Sequence, residues 1–114
     1  MDFYDAKHGI IMGGDYAKPF DSLDNKAVTV DGGKTWKLVA SGKPPGYVSC
    51  VQYVPGSNAK ELVGVGTTGI FYSKDAGGTW LKLAKDSFYT LRFANDTTAY
   101  ASGKDRFTKL VFKK

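Results

Sequence analysis

The sequence predicts an all-β chain of short antiparallel strands, and three observations carry that expectation. No stretch places apolar residues at i, i+3, i+4 and i+7, the signature of an amphipathic helix. Instead, short runs rich in β-branched and aromatic residues recur at close intervals, separated by turns drawn from 14 glycines. And one eight-residue phrase occurs twice, as Thr29-Val-Asp31-Gly-Gly33-Lys-Thr35-Trp36 and as Ser73-Lys-Asp75-Ala-Gly77-Gly-Thr79-Trp80.

Both phrases follow the pattern Ser/Thr-x-Asp-x-Gly-x-Thr-Trp, and their aspartates lie 44 positions apart. Five matched positions in each of two copies is a specific signal. A period in the forties is the length of a four-stranded propeller blade. Each residue type has a physical task. The Asp carboxylate accepts backbone N–H groups across its own turn, and the glycine reverses the chain with φ > 0. The threonine offers a local hydroxyl and a β-branch. The tryptophan opens the next strand and packs over the turn. Thr29, Asp31, Gly33, Thr35 and Trp36, with Ser73, Asp75, Gly77, Thr79 and Trp80, are therefore expected to close hairpins and not to catalyse.

Reading outward from these hairpins, strands are expected at 1–5, 9–14, 25–30 and 35–40 in a first unit. The second unit has them at 47–54, 60–66, 69–74 and 79–84. A third has 88–94, 97–103 and 107–113, and stops where its own Asp motif would begin. The expected architecture is two full four-stranded blades plus three strands of a third, an incomplete propeller with units 1–42, 43–86 and 87–114. A ring of blades normally needs at least four. The missing partners are thus expected to be the remaining blades of a longer parent, or further copies of the chain completing a ring.

The two phrases resemble the Asp boxes of bacterial-neuraminidase-repeat proteins. Together with Phe3-Tyr-Asp5-Ala-Lys-His-Gly9-Ile-Ile-Met-Gly-Gly14, they are similar to the blade signature of photosystem II assembly-factor-like and sortilin-type propellers. The resemblance covers essentially the whole chain. It implies a β-propeller, a protein-binding or assembly scaffold as the function, and a secreted or periplasmic parent. No signal peptide is visible in Met1-Asp-Phe-Tyr-Asp5. The alternative it implies is a glycan-binding or glycoside-hydrolase module whose site lies partly outside this chain, because fold alone does not settle function.

The remaining residues narrow the chemistry. Sialidase-like catalysis needs three arginines around a carboxylate and a Tyr–Glu pair, but only Arg92 and Arg106 are present and Glu61 is the sole glutamate. Gly64-Val-Gly66-Thr-Thr-Gly69 spells the dinucleotide fingerprint, yet Ile70-Phe-Tyr-Ser73 follows as a strand where a helix is required. It reads as a hairpin turn, and no cofactor is expected. The loop 15–24 carries Asp15, Asp21 and Asp24, which offer oxygen ligands for calcium but lack the regular order of a calcium loop. They read as solvated acids. A net charge of +5 comes from 14 lysines, of which only Lys113 and Lys114 adjoin, so no nucleic-acid groove is expected. No run of 18 apolar residues suggests a membrane span. The single cysteine, Cys50, cannot form an internal disulfide. The aromatics Tyr16, Phe20 and Tyr47, in or beside proline-stiffened loops, are the expected contacts for a partner or glycan.

Overall fold

A computed structural model describes residues 1–14, 17–18 and 25–112. Among these there is no helix, so none long and apolar enough to cross a membrane. The chain forms three antiparallel sheets. Sheet 1 holds β1 (Asp2–Phe3), β2 (Gly9–Met12), β3 (Lys26–Thr29) and β4 (Lys37–Leu38) in that order. Sheet 2 holds β5 (Cys50–Tyr53), β6 (Leu62–Gly66), β7 (Gly69–Ser73) and β8 (Leu81–Ala84). Sheet 3 holds β9 (Thr90–Phe93), β10 (Thr98–Gly103) and β11 (Arg106–Val111). Each falls within or one residue beyond an expected strand. Four, four and three strands is the incomplete, all-β arrangement that the repeats imply.

The turns explain why these runs become hairpins. In the Gly64–Gly69 stretch, Gly66 pairs with Gly69 at the end of the β6–β7 ladder. Gly69 has φ 145°, and a Cβ there would collide with the Ala84 carbonyl oxygen, so the glycine pattern answers to backbone crowding in a hairpin.

Successive sheets stack with a constant polarity. Pairing places Ile10 opposite Val28 and Met12 opposite Lys26, so these share the front face of sheet 1. That face packs on the rear face of sheet 2 in a cluster of Ile10, Met12, Val48, Val51, Tyr53, Ala59 and Leu62. The front face of sheet 2 supplies Val63, Val65 and Ile70 to a second cluster, with Leu91, Ala99 and Ala101 from the rear of sheet 3. The period-2 alternation of a strand thus gives the central sheet 2 two apolar faces. β6 is buried at all five positions as a result.

The first strands of the three sheets lie side by side, and polar side chains tie them. The Tyr53 N–H donates to Asp2 Oδ2 (2.8 Å) and the Phe93 N–H to Gln52 Oε1 (3.0 Å). Each tie uses a side chain of one inner strand to satisfy an amide of the next.

Between sheets 1 and 2 sits a buried cation. Lys26 is only 1% exposed, and its Nζ donates to Asn25 Oδ1 (2.7 Å), Lys43 O (2.9 Å) and Pro45 O (2.8 Å). Asn25 Nδ2 also donates to Gly46 O (2.6 Å), so two side chains fasten the connection that carries the chain from one sheet to the next. Burial lowers the Lys26 pKa to about 8 from 10.5. The unfolded chain holds this proton up to the higher value, so it binds more protons than the folded chain in between. Stability should therefore rise with pH from about 8 until tyrosines begin to ionise in the unfolded chain near 10. Thermal melts across that window should show the rise in the native chain and its loss in Lys26→Met.

Candidate functional site

The two Asp phrases form matching hydrogen-bond networks. In the first, Thr29 Oγ1 donates to Asp31 Oδ1 (2.8 Å) and accepts from the Gly33 N–H (3.0 Å). The Thr35 N–H donates to Asp31 Oδ1 (2.9 Å), and Thr35 Oγ1 to Asp31 Oδ2 (2.6 Å). Trp36 Nε1 closes the turn on Gly33 O (3.1 Å). In the second, Ser73, Asp75, Gly77, Thr79 and Trp80 repeat every one of these bonds at 2.7–2.9 Å. With both carboxylate oxygens engaged, Thr35 and Thr29 hold the Asp31 carboxyl down at about 2. Burial pushes Asp75 up, but bonds from Thr79 and Ser73 outweigh it and leave the carboxyl below its ordinary range. A general acid or base needs a proton affinity near the working pH, and these carboxyls are moved away from it.

An open groove of about 360 Å³ lies between sheets 2 and 3. Val54, Leu81, Leu83, Val111 and Phe112 give it an apolar lining, with Glu61, Tyr72 and Asp96 as its polar members. The Tyr72 hydroxyl donates to Glu61 Oε1 (2.7 Å). Burial, with the neighbouring Glu61 carboxylate, pushes the Tyr72 phenol up to about 12. Both arginines are engaged elsewhere. Arg106 pairs with Asp86 (3.6 Å) and lies over the Phe88 ring, while Arg92 donates to Leu91 O (2.8 Å). The groove therefore suits an apolar side chain better than a sugar carboxylate.

The other sequence-derived candidates are distributed differently. Tyr16, Phe20, Asp15, Asp21 and Asp24 lie outside the described residues. Tyr47 is half-buried, its backbone running past Gly14 and Gly66, and it is not among the groove residues. No three His, Cys, Asp or Glu side chains gather to hold a metal ion among the described residues. His8 Nδ1 lies 3.0 Å from Asp5 Oδ1 in the β1–β2 turn. Sequence reading missed Lys26 as a buried anchor, although alternation with Val28 already places it on the inward face.

Comparison with known proteins follows from this geometry. No protein-family model matches the sequence, and no curated protein does. Among solved structures, the chain is similar to YCF48 bound to D1 peptide, with a TM-score of 0.67 and 19% identity. The match covers 95% of this chain and 35% of that one. The fold is that of a β-propeller. This chain spans about a third of that structure's length, so its three sheets correspond to a part of a propeller.

That assignment makes the ends of the stack informative. The rear face of sheet 1 carries Phe3, Ile11 and Leu38, exposed by 39%, 41% and 53%. The front face of sheet 3 carries Tyr100, Phe107 and Val111, with the Tyr100 and Phe107 rings stacked at 5.7 Å. Equivalent faces inside the stack are covered by a neighbouring blade.

Two measurements check the turn networks. Ser73 is fully buried, so Ser73→Ala leaves the Gly77 N–H without its acceptor and should cost about 1–2 kcal/mol in denaturant unfolding. Asp31 is depressed in the folded chain, so its stabilisation is complete above 3.8 and is lost as pH falls towards about 2. Asp31→Asn should flatten that part of the acid-unfolding curve.

Proposed function

We propose that this chain is a non-catalytic propeller module that binds protein, serving as an assembly scaffold through the two apolar ends of its blade stack. The carrying observation is the pair of uncovered faces, Phe3, Ile11 and Leu38 at one end and Tyr100, Phe107 and Val111 at the other. In a stack of constant polarity the front of the last blade is built like the fronts that already pack on a rear face. The two ends are therefore complementary in kind. On this reading the units are 1–42, 43–86 and 87–114, and the Asp phrases act as Asp boxes that close the outer hairpin of each full blade. The partner is the rest of a longer propeller or a further copy of the chain, associating head to tail. The likeness to a propeller holding a peptide supports protein as the ligand class.

The groove lends a glycan-binding or glycosidase reading little support, because its Tyr72–Glu61 pair stands with no guanidinium in the lining.

Light scattering coupled to size exclusion tests the proposal. Mass should rise with protein concentration, and Phe107→Asp, which places a charge on a side chain already 73% exposed, should suppress the rise without lowering the melting temperature. A chain that stays monomeric at every concentration would count against association through these faces.

A further inference from the structure

The junction of sheets 1 and 2 and the junction of sheets 2 and 3 are built on one plan, so each serves as a control for the other. At both, a side chain of one inner strand accepts the amide of the next: Asp2 accepts from Tyr53, and Gln52 from Phe93. The second tie shows that a neutral amide and a plain phenyl ring meet the structural need. The first places a carboxylate and a phenol at the same two positions. The charge of Asp2 and the hydroxyl of Tyr53 are therefore surplus to that need.

Both surplus groups open onto one groove. It has a volume of about 410 Å³ and is lined by Asp2, Phe3, Tyr4, Tyr53, Pro55 and Gly56, from β1, β5 and the segments that follow them. Asp2 uses Oδ2 for the Tyr53 N–H, and its Oδ1 has no partner among the described residues. Tyr53 is only 7% exposed, yet its hydroxyl has no hydrogen-bond partner among the described residues. No buried side-chain oxygen is left unpaired among them, so this hydroxyl is the part of the residue that reaches the groove. The Tyr4 and Tyr53 rings meet edge to face at 5.7 Å. Tyr4 is pinned there because its hydroxyl accepts the Asn58 N–H (3.0 Å), which also ties down the turn that carries Pro55 and Gly56.

The electrostatics select the sign of a ligand. Burial, with the Asp2 and Asp5 carboxylates nearby, pushes the Tyr53 phenol up to about 12, so the hydroxyl stays neutral and offers its lone pairs. Asp5 is occupied by its own turn, accepting from the Lys7 and His8 amides (2.8 and 2.7 Å), and adds negative field rather than a ligand atom. One free carboxylate oxygen and one phenol give a metal ion too few ligands, and no three His, Cys, Asp or Glu side chains gather among the described residues. They suit an ammonium, whose N–H groups donate to both oxygens while its charge and alkyl stem lie against aromatic rings.

We propose that this groove binds an alkylammonium group, as a lysine side chain or a small amine carries, with Asp2 Oδ1 and the Tyr53 hydroxyl accepting its N–H groups beside the Tyr4 ring. The site is made where two packed sheets meet, and it does not rest on the reading of the stack ends given above.

The test titrates n-butylammonium chloride into the intact, isotope-labelled 114-residue chain and follows the amide resonances, with n-butanol as the neutral isostere and sodium chloride to match ionic strength. Saturable shifts at the Tyr53 and Gly56 amides are expected from the ammonium and not from the alcohol. Asp2→Asn keeps an acceptor for the Tyr53 N–H, as Gln52 does for Phe93, so the melting temperature should hold while binding weakens about tenfold. Tyr53→Phe removes only the hydroxyl and should weaken binding about threefold or more. An end-blocked Gly-Gly-Lys-Gly-Gly peptide that binds more tightly than n-butylammonium would assign the cation to a polypeptide, and the reverse order to a small amine; either result upholds the site. Equal shifts with n-butanol, shifts that never saturate, or undiminished binding by both variants would overturn it. The comparison of amine with alcohol needs only the native chain, so it decides the matter even where a variant unfolds. The Phe107→Asp light-scattering result reports on the stack ends, so the two readings can fail separately.

Discussion

A β-sheet with apolar side chains on both faces buries them only between two other layers, and that constraint shapes this chain. The front of sheet 1 meets the rear of sheet 2, and the front of sheet 2 meets the rear of sheet 3. The dispersion and hydrophobic energy of these two interfaces holds the sheets together. The polar ties between inner strands, Asp2 to Tyr53 and Gln52 to Phe93, fix the lateral register of one sheet on the next. What the interior sheet gains from both neighbours, the end sheets gain from one only. Exposed Phe3, Leu38, Phe107 and Val111 follow directly from that asymmetry.

The polar interior follows the same logic of satisfaction. Lys26 is buried, and its ammonium is satisfied by three oxygens from Asn25, Lys43 and Pro45. Among the described residues no buried side-chain nitrogen or oxygen is left without a partner. The Asp turns use acidic groups in a comparable way, as acceptors for amides and hydroxyls that a tight reversal would leave unpaired. In each turn the carboxylate is consumed by structure.

Much of the fold was legible in the residues. Alternation and glycine spacing located the eleven strands found among the described residues, and the duplicated Asp phrase matched the first two sheets to one another. The candidate site was far less legible. Tyr72, Leu83 and Val111 stand out nowhere in the sequence, because each is an ordinary strand residue until two sheets bring it to one groove. Tyr47, chosen for its place beside prolines, turns out half-buried, its backbone running close to Gly14 and Gly66. Lys26 carried a weak signal in its inward register, masked by the general expectation that lysine is exposed.

Residue order is enough for the local chemistry: where the chain extends, where it reverses, and how Asp31 and Asp75 hold those reversals, since these interactions span only two to four residues. Only the packing of the sheets settles which faces are covered and which cation is buried. Those properties depend on residues 19 to 41 positions apart meeting in space, as Lys26 meets Pro45 and Gln52 meets Phe93.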